Sequence, residues 1–117
     1  MSELSPKAAR EFYDRQIKWI MENKVDELID NNYREDAVLL AFDYSVEGGR
    51  KVFKDHFKEY LKRLGGIQVK STDKFTSHGD MIFFEATVVT GAYGEVKVYD
   101  SFVLKDGQIF RHFTGVK

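Results

Sequence analysis

The order of helical and extended segments constrains the fold of this chain most. Apolar residues recur with helical spacing in much of the sequence up to residue 64, whereas from residue 67 onward the sequence reads as strands. Gly79-Asp80, Tyr93-Gly94 and Asp106-Gly107 divide this second part into four hairpin-linked segments. This order predicts an α+β domain, in which three N-terminal helices pack on a strongly curved antiparallel sheet.

The helical part has recognisable ends. Ser5 followed by Pro6 predicts the start of the first helix, and Asn31-Asn32 closes a short second helix. The third helix follows Gly48-Gly49 and stops at Gly65-Gly66. Between the second and third helices, the apolar run in residues 36–44 is too short for another helix and predicts a strand.

The composition fits one soluble domain spanning residues 1–117. Apolar residues make up 43% and charged residues 32%, and the net charge of −1 gives no indication of nucleic-acid binding. No segment reaches the roughly 18 apolar residues of a membrane span, and the first residues lack the apolar core of a signal peptide. The absence of cysteine excludes disulfides and thiolate chemistry. We therefore expect a cytoplasmic protein with neither nucleic acid nor membrane as a partner.

Asp100 interrupts the apolar face of a predicted strand. Along residues 95–105, Val96, Val98, Phe102 and Leu104 share one face, and Asp100 stands among them. An unpaired buried carboxylate costs several kcal/mol, so such a residue is usually paired, protonated or not buried. Asp100 is therefore the first candidate for a functional residue.

Three segments resemble a known superfamily. YREDAV (residues 33–38) looks like its entry into the first strand, VEGG followed by VFKDHF (46–57) like its turn into the third helix, and VYDSFVLKDGQI (98–109) like its penultimate hairpin. Together with the element order, they resemble the cystatin-like α+β cone shared by ketosteroid isomerase, SnoaL-like polyketide cyclases and the nuclear transport factor superfamily. The resemblance covers nearly the whole chain and implies a cone with an internal apolar pocket.

The resemblance carries over to the catalytic residues at one position only. Asp100 falls where ketosteroid isomerase keeps an aspartic acid protonated to donate a hydrogen bond to a developing oxyanion. The isomerase's helical tyrosine corresponds to Ile17 here, and its general-base aspartate corresponds to Ala41. Tyr13 and Asp43 lie close enough along the sequence to reach a similar space from other backbone positions.

The hairpin turn determines what accompanies Asp100. A bulged turn at Asp106-Gly107 sets Asp100 opposite His112 and Phe102 opposite Phe110, whereas a tight two-residue turn sets Asp100 opposite Phe113 with Arg111 on the same face. We favour the bulged turn, because comparison with the family's last strand also sends His112 inward. On the preceding hairpin, a turn centred on Tyr93 places Ala86 opposite Asp100.

These patterns predict an acid–base pair and a pocket, with no cofactor and no metal. The predicted catalytic residues are Asp100 and His112. The three histidines lack the close spacing of a metal site. The residues predicted to contact the bound molecule are Tyr13, Ile17, Phe53, His56, Phe57, Phe84, Ala86, Phe102 and Phe110.

Three functions remain open. The first is a cofactor-free isomerase, cyclase or dehydratase acting on a small apolar carbonyl compound, and the second is a cone that only holds a hydrophobic ligand. The third is an association domain whose cone is filled by its own side chains. We also predict a homodimer through the outer face of the sheet, because Phe83, Val89, Tyr99 and Val103 otherwise leave apolar surface in water.

Overall fold

The three helices begin and end close to the predicted residues. A computed structural model describes residues 4–117, with helices α1 (Pro6–Met21), α2 (Val25–Asn32) and α3 (Arg50–Leu64). Ser5 caps α1, since its Oγ accepts the backbone N–H of Ala8 at 3.0 Å. Gly65 ends α3 in the left-handed conformation at φ 72°, which a glycine adopts without strain. Within residues 4–117, no helix is both long and apolar enough to cross a bilayer.

Six strands form one open, mixed sheet. They are β1 (Tyr33–Leu40), β2 (Ser45–Val46), β3 (Ile67–His78), β4 (Met81–Thr90), β5 (Gly94–Lys105) and β6 (Gln108–Val116), arranged in the order β2-β1-β6-β5-β4-β3. Strands β3 to β6 are consecutive antiparallel hairpins, as predicted. β1, however, runs parallel to β6, so the sheet is not antiparallel throughout.

Bulges in β3 curve the sheet around the helices. Relative to β4, the register of β3 shifts twice, with Lys70 and Asp73 as the additional residues. Each extra residue bends its strand and increases the local twist. The predicted α+β fold, with helices inside a curved sheet, is therefore confirmed.

Aromatic side chains hold the helices against the sheet. The Tyr13 ring of α1 lies 4.6 Å from the Phe84 ring, and Phe12 meets Phe102 edge-on at 6.1 Å. Phe53, fully buried on α3, packs on Tyr33 at 5.4 Å between ring centroids. These contacts fix α1 and α3 on the concave face, and they determine which side chains face the space between the helices.

The register of β5 with β6 differs from both predicted registers. Asp106 and Gly107 both have positive φ, 55° and 79°, and form a two-residue turn. A bulge at Phe110 then adds one residue to β6. The predicted direct pairing of Asp100 with His112 is wrong, and so is the alternative built on the tight turn alone. The observed pairs are Val103 with Arg111, Phe102 with His112, and Asp100 with Thr114.

The pairing of β4 with β5 is shifted by two residues from the prediction. Thr90 pairs with Gly94, so the turn centres one residue before Tyr93. Phe84 therefore lies opposite Asp100, whereas Ala86, which was predicted there, lies opposite Val98. Because side chains alternate with a period of two, this shift keeps Phe84 and Ala86 on the predicted face.

Candidate active site

A cavity of about 560 Å³ lies between the concave face of the sheet and helices α1 and α3. Its wall is mostly aliphatic and aromatic. Its opening includes residues of the β1–β2 loop, the last turn of α3 and the turn after β4, represented by Phe42, Arg63 and Tyr93. The aromatic rings of Phe42 and Tyr93 are largely exposed to solvent. The cone is therefore open at one end and apolar inside.

Asp100 and His112 form a hydrogen-bonded pair on the cavity wall. Asp100 Oδ1 lies 2.7 Å from His112 Nε2, and the two side chains are 13% and 6% exposed. They are diagonal rather than direct neighbours across the hairpin, because the bulge at Phe110 places Phe102 opposite His112. The imidazole stands perpendicular to the Phe102 ring at 4.7 Å. An acid–base pair is thus held in an apolar wall with little access to water outside the cavity.

Beyond His112, three buried residues continue the hydrogen bonding, and one of them, Gln16, also lines the cavity. The Tyr33 hydroxyl lies 2.9 Å from His112 Nδ1 and accepts the Gln16 amide at 2.9 Å. Gln16 Oε1 in turn accepts the Asn32 amide at 2.9 Å. Together, the buried polar network consists of Asp100, His112, Tyr33, Gln16 and Asn32. Within residues 4–117, no buried side-chain nitrogen or oxygen lacks a hydrogen-bond partner.

Burial controls the protonation of the tyrosines near the pair. Burial raises the pKa of Tyr33 far above its ordinary value of 10, and the Asp100 charge raises it further. The pKa of Tyr60 rises for the same two reasons. Both hydroxyls therefore stay protonated at neutral pH and remain hydrogen-bond donors.

His56 and Arg63 line the cavity from α3. The His56 ring stacks on Tyr60 at 5.9 Å and lies 5.7 Å from Tyr44. Burial, and then the charge of Arg63, lower the pKa of His56 below its ordinary value of 6.5. His56 is therefore neutral at pH 7 and contributes an aromatic wall rather than a charge.

The geometry can be compared with known proteins. No protein-family model matches the sequence, and no curated protein matches it. A protein from Anabaena variabilis described as NTF2-like superimposes with a TM-score of 0.79 at 19% identity, over 95% of this chain and 87% of that one. The chain has the NTF2-like fold.

Two further structures show how widely the NTF2-like fold is shared. A candidate polyketide cyclase from Sinorhizobium meliloti superimposes with a TM-score of 0.76 at 21% identity, over 89% of this chain and 93% of that one. A de novo designed protein with a curved β-sheet gives 0.79 at 15% identity, over 97% and 88%. A natural and a designed protein share the architecture, so the fold does not assign an activity. The resemblance seen in the sequence is confirmed at the level of the fold.

The NTF2-like cone brings most of the predicted site residues to the cavity. Asp100 and His112 lie on its wall, and so do Asp43 and Ala41 near its opening. Six of the nine residues predicted to contact a bound molecule line it, namely Ile17, His56, Phe57, Phe84, Ala86 and Phe102.

Three predicted pocket residues do not line the cavity. The Tyr13 hydroxyl points to β3, where it shares a hydrogen bond of 2.6 Å with Thr72 Oγ1. Phe53 lies in the core beneath α3. Phe110 occupies the bulge and packs under the Arg111 guanidinium, 3.7 Å above its ring. The bulge lets Ile109 and His112, three residues apart, both be buried while Phe110 stays outside the pocket.

The sequence-based reasoning missed Gln16, Asn32 and Tyr33. Gln16 carried a signal, because its spacing from Phe12 and Ile20 places an amide on the apolar face of α1. Asn32 was interpreted only as a helix end. Tyr33 was interpreted as part of the entry into the first strand; its extended backbone begins β1 and directs its hydroxyl to the site.

Proposed function

We propose that the cone binds a small apolar molecule with a carbonyl group and catalyses a cofactor-independent proton transfer on it. Asp100 exchanges the proton with the bound molecule, and His112 is its hydrogen-bonding partner. One observation carries the proposal: the 2.7 Å Asp100–His112 pair lies on the wall of an otherwise largely apolar cavity. The reaction classes that fit are isomerisation, cyclisation and dehydration.

The size and character of the cavity support this proposal. Its volume of about 560 Å³ lies within the ~300–1,000 Å³ typical of small-molecule pockets. A cone filled by its own side chains leaves no such space, which counts against a purely associative domain. Inside an apolar enclosure, a carboxylate also interacts more strongly with a developing charge than it does in water.

A second candidate function is ligand binding without catalysis. Ile17 and Ala41, which correspond to the tyrosine and the general base of ketosteroid isomerase, are apolar and line the cavity. Under this alternative, Asp100 and His112 only orient a polar group of the ligand. Binding then survives replacement of Asp100, while no proton exchange is observed in any variant.

Exchange of α-protons tests the proposal directly. We would incubate 2-tetralone with the protein in D₂O and follow deuterium incorporation by NMR. The wild-type protein should accelerate exchange, and Asp100→Asn should abolish the acceleration. Glu95→Gln is the matched control, because Glu95 is an exposed carboxylate on the same strand.

Two results decide between the candidates. Equal exchange by the wild type and Asp100→Asn would contradict a role for Asp100. Shifted cavity methyl signals without accelerated exchange would refute catalysis on this ketone and support simple binding.

We also propose that two copies associate through the outer face of the sheet. Val89 and Tyr99 on that face remain 41% and 38% exposed in the single chain, and Phe83 and Val103 beside them are half-buried. In a two-fold dimer, the same residues of a second copy would pack against this surface and cover it.

A further inference from the structure

We infer that Tyr33, supported by Gln16 and Asn32, is a positioning residue that fixes His112 as its Nε2–H tautomer and so makes Asp100 the proton acceptor in the cavity. The assignment of the tautomer stands on geometry alone. The role of Asp100 in a reaction rests on the proposed function.

The direction of the hydrogen bonds runs from Asn32 toward the cavity. The Asn32 amide donates to Gln16 Oε1, which leaves the Gln16 NH₂ group facing Tyr33. The Tyr33 oxygen accepts from Gln16 at 2.9 Å, and its own proton is left for the remaining neighbour. That neighbour is His112 Nδ1, also at 2.9 Å. Tyr33 therefore donates to the imidazole.

An imidazole nitrogen that accepts a hydrogen bond carries no proton. With Nδ1 accepting from Tyr33, the neutral ring of His112 holds its proton on Nε2 and donates it to Asp100 Oδ1 at 2.7 Å. The reverse arrangement, with a protonated Asp100 donating to a neutral His112, requires a proton on Nδ1. The amides of Gln16 and Asn32 would then both have to turn over.

The second oxygen of Asp100 is the one available to a bound molecule. Among residues 4–117, only His112 hydrogen-bonds to the Asp100 carboxylate, and it does so through Oδ1. Since no buried polar side-chain atom in this part of the chain lacks a partner, Oδ2 is not sealed in the protein. Asp100 belongs to the cavity wall, so this oxygen is accessible from the cavity.

This arrangement favours a proton shift within one molecule. Oδ2 takes the proton from the carbon next to the carbonyl group, forming an O–H bond while the C–H electron pair becomes an enolate. Where the bound compound carries a β,γ double bond, this enolate is a dienolate, and the same carboxyl returns the proton to its γ-carbon while the double bond shifts into conjugation, so that no atom or electron is lost or gained. Gln16 and Asn32 end the network with amides, which do not relay protons, so the proton on Asp100 leaves only through the cavity, to the bound molecule or to water. Among the proposed reaction classes, isomerisation therefore fits best.

Tyr33→Phe tests the positioning role. It keeps the ring that packs on Phe53 but removes the proton donated to Nδ1. Tyr13→Phe is the matched control, because Tyr13 is also buried and its hydroxyl contacts Thr72 outside the cavity.

Two measurements are needed. Nitrogen NMR of the ligand-free protein reports the His112 tautomer, and the 2-tetralone assay reports exchange. The wild type and Tyr13→Phe should show a proton on Nε2 only. Tyr33→Phe should show a second imidazole form, and its exchange rate should fall by about tenfold or more while 2-tetralone affinity changes little.

A proton on Nδ1 in the wild type would overturn the assigned direction, and that measurement needs no variant. Unchanged tautomer and exchange in Tyr33→Phe would overturn the positioning role. An Nε2–H tautomer in a wild type that exchanges no ketone protons would refute the proposed function and leave the tautomer assignment supported.

Discussion

Replacing His112 with alanine tests how strongly the buried polar network stabilises the fold. The change leaves the Asp100 carboxylate without its donor and the Tyr33 hydroxyl without its acceptor. A hydrogen bond to a charged group contributes about 1.5–3 kcal/mol, and an unsatisfied buried group costs about 1–3 kcal/mol, so the sum is about 2.5–6 kcal/mol. We expect a loss of about 3 kcal/mol, at the lower end of that range, because water in the adjoining cavity reaches the 13%-exposed Asp100.

The same replacement in an Asp100→Asn background should cost less. The two backgrounds differ only at position 100, where a neutral amide replaces the carboxylate. The comparison therefore isolates the effect of the Asp100 charge. With the neutral amide at position 100, removing His112 leaves no buried charge unpaired. The lost hydrogen bond between residues 100 and 112 and the unsatisfied Tyr33 hydroxyl then cost about 1 kcal/mol each. The difference between the two backgrounds, about 1 kcal/mol, is the coupling free energy of Asp100 with His112.

Urea unfolding of the four proteins at neutral pH, followed by circular dichroism, measures this coupling. The dependence of the unfolding free energy on urea should be the same for all four, because each variant exposes nearly the same surface. A coupling below about 0.5 kcal/mol would refute the argument, since it falls within the usual additivity of independent sites. Asp100→Asn alone should change stability by less than His112→Ala does.

Three further predictions concern His56, the cavity and the outer face of the sheet. Because the pKa of His56 is lowered on folding, the unfolded chain binds more protons, and stability should decrease as the pH falls through about 6.5; urea unfolding across this range should show a smaller decrease for His56→Gln, and an unchanged decrease would contradict the shift. Ala86→Phe should fill part of the cavity and weaken Nile red binding by about tenfold, as measured by fluorescence titration; the exposed Ala92→Phe should not, and equal effects would place the dye outside the cone. Val103→Lys should dissociate the proposed dimer by placing a charge in its interface, as measured by sedimentation; a monomeric wild type at micromolar concentration would exclude that dimer.

Local sequence signals located most of the secondary structure and the face of Asp100. Ser5-Pro6 and Gly65 determine helix ends by hydrogen bonding and backbone freedom, which act within a few residues. The Asp106-Gly107 dipeptide likewise positions the last hairpin turn. Side-chain alternation placed Asp100 on the inner face regardless of which partner it met.

The partners of Asp100 were beyond such local reasoning. The bulge at Phe110 depends on burying both Ile109 and His112, a requirement that appears only when the whole cone is assembled. The Tyr33–His112 contact joins residues 79 positions apart. Nothing near Tyr33 in the sequence indicates that its hydroxyl is directed to the last strand, because the parallel pairing of β1 with β6 brings them together.

The parallel neighbour of β1 also has a consequence for the order of folding during synthesis. β6 is translated after α1 to α3 and β1 to β5, yet it lies inside the sheet between β1 and β5. Until it emerges from the ribosome, both of those strands present unpaired backbone groups that can recruit another chain. Chains truncated before residue 108 should therefore bind chaperones and stay sensitive to protease, whereas chains that include β6 should become protease-resistant in one step.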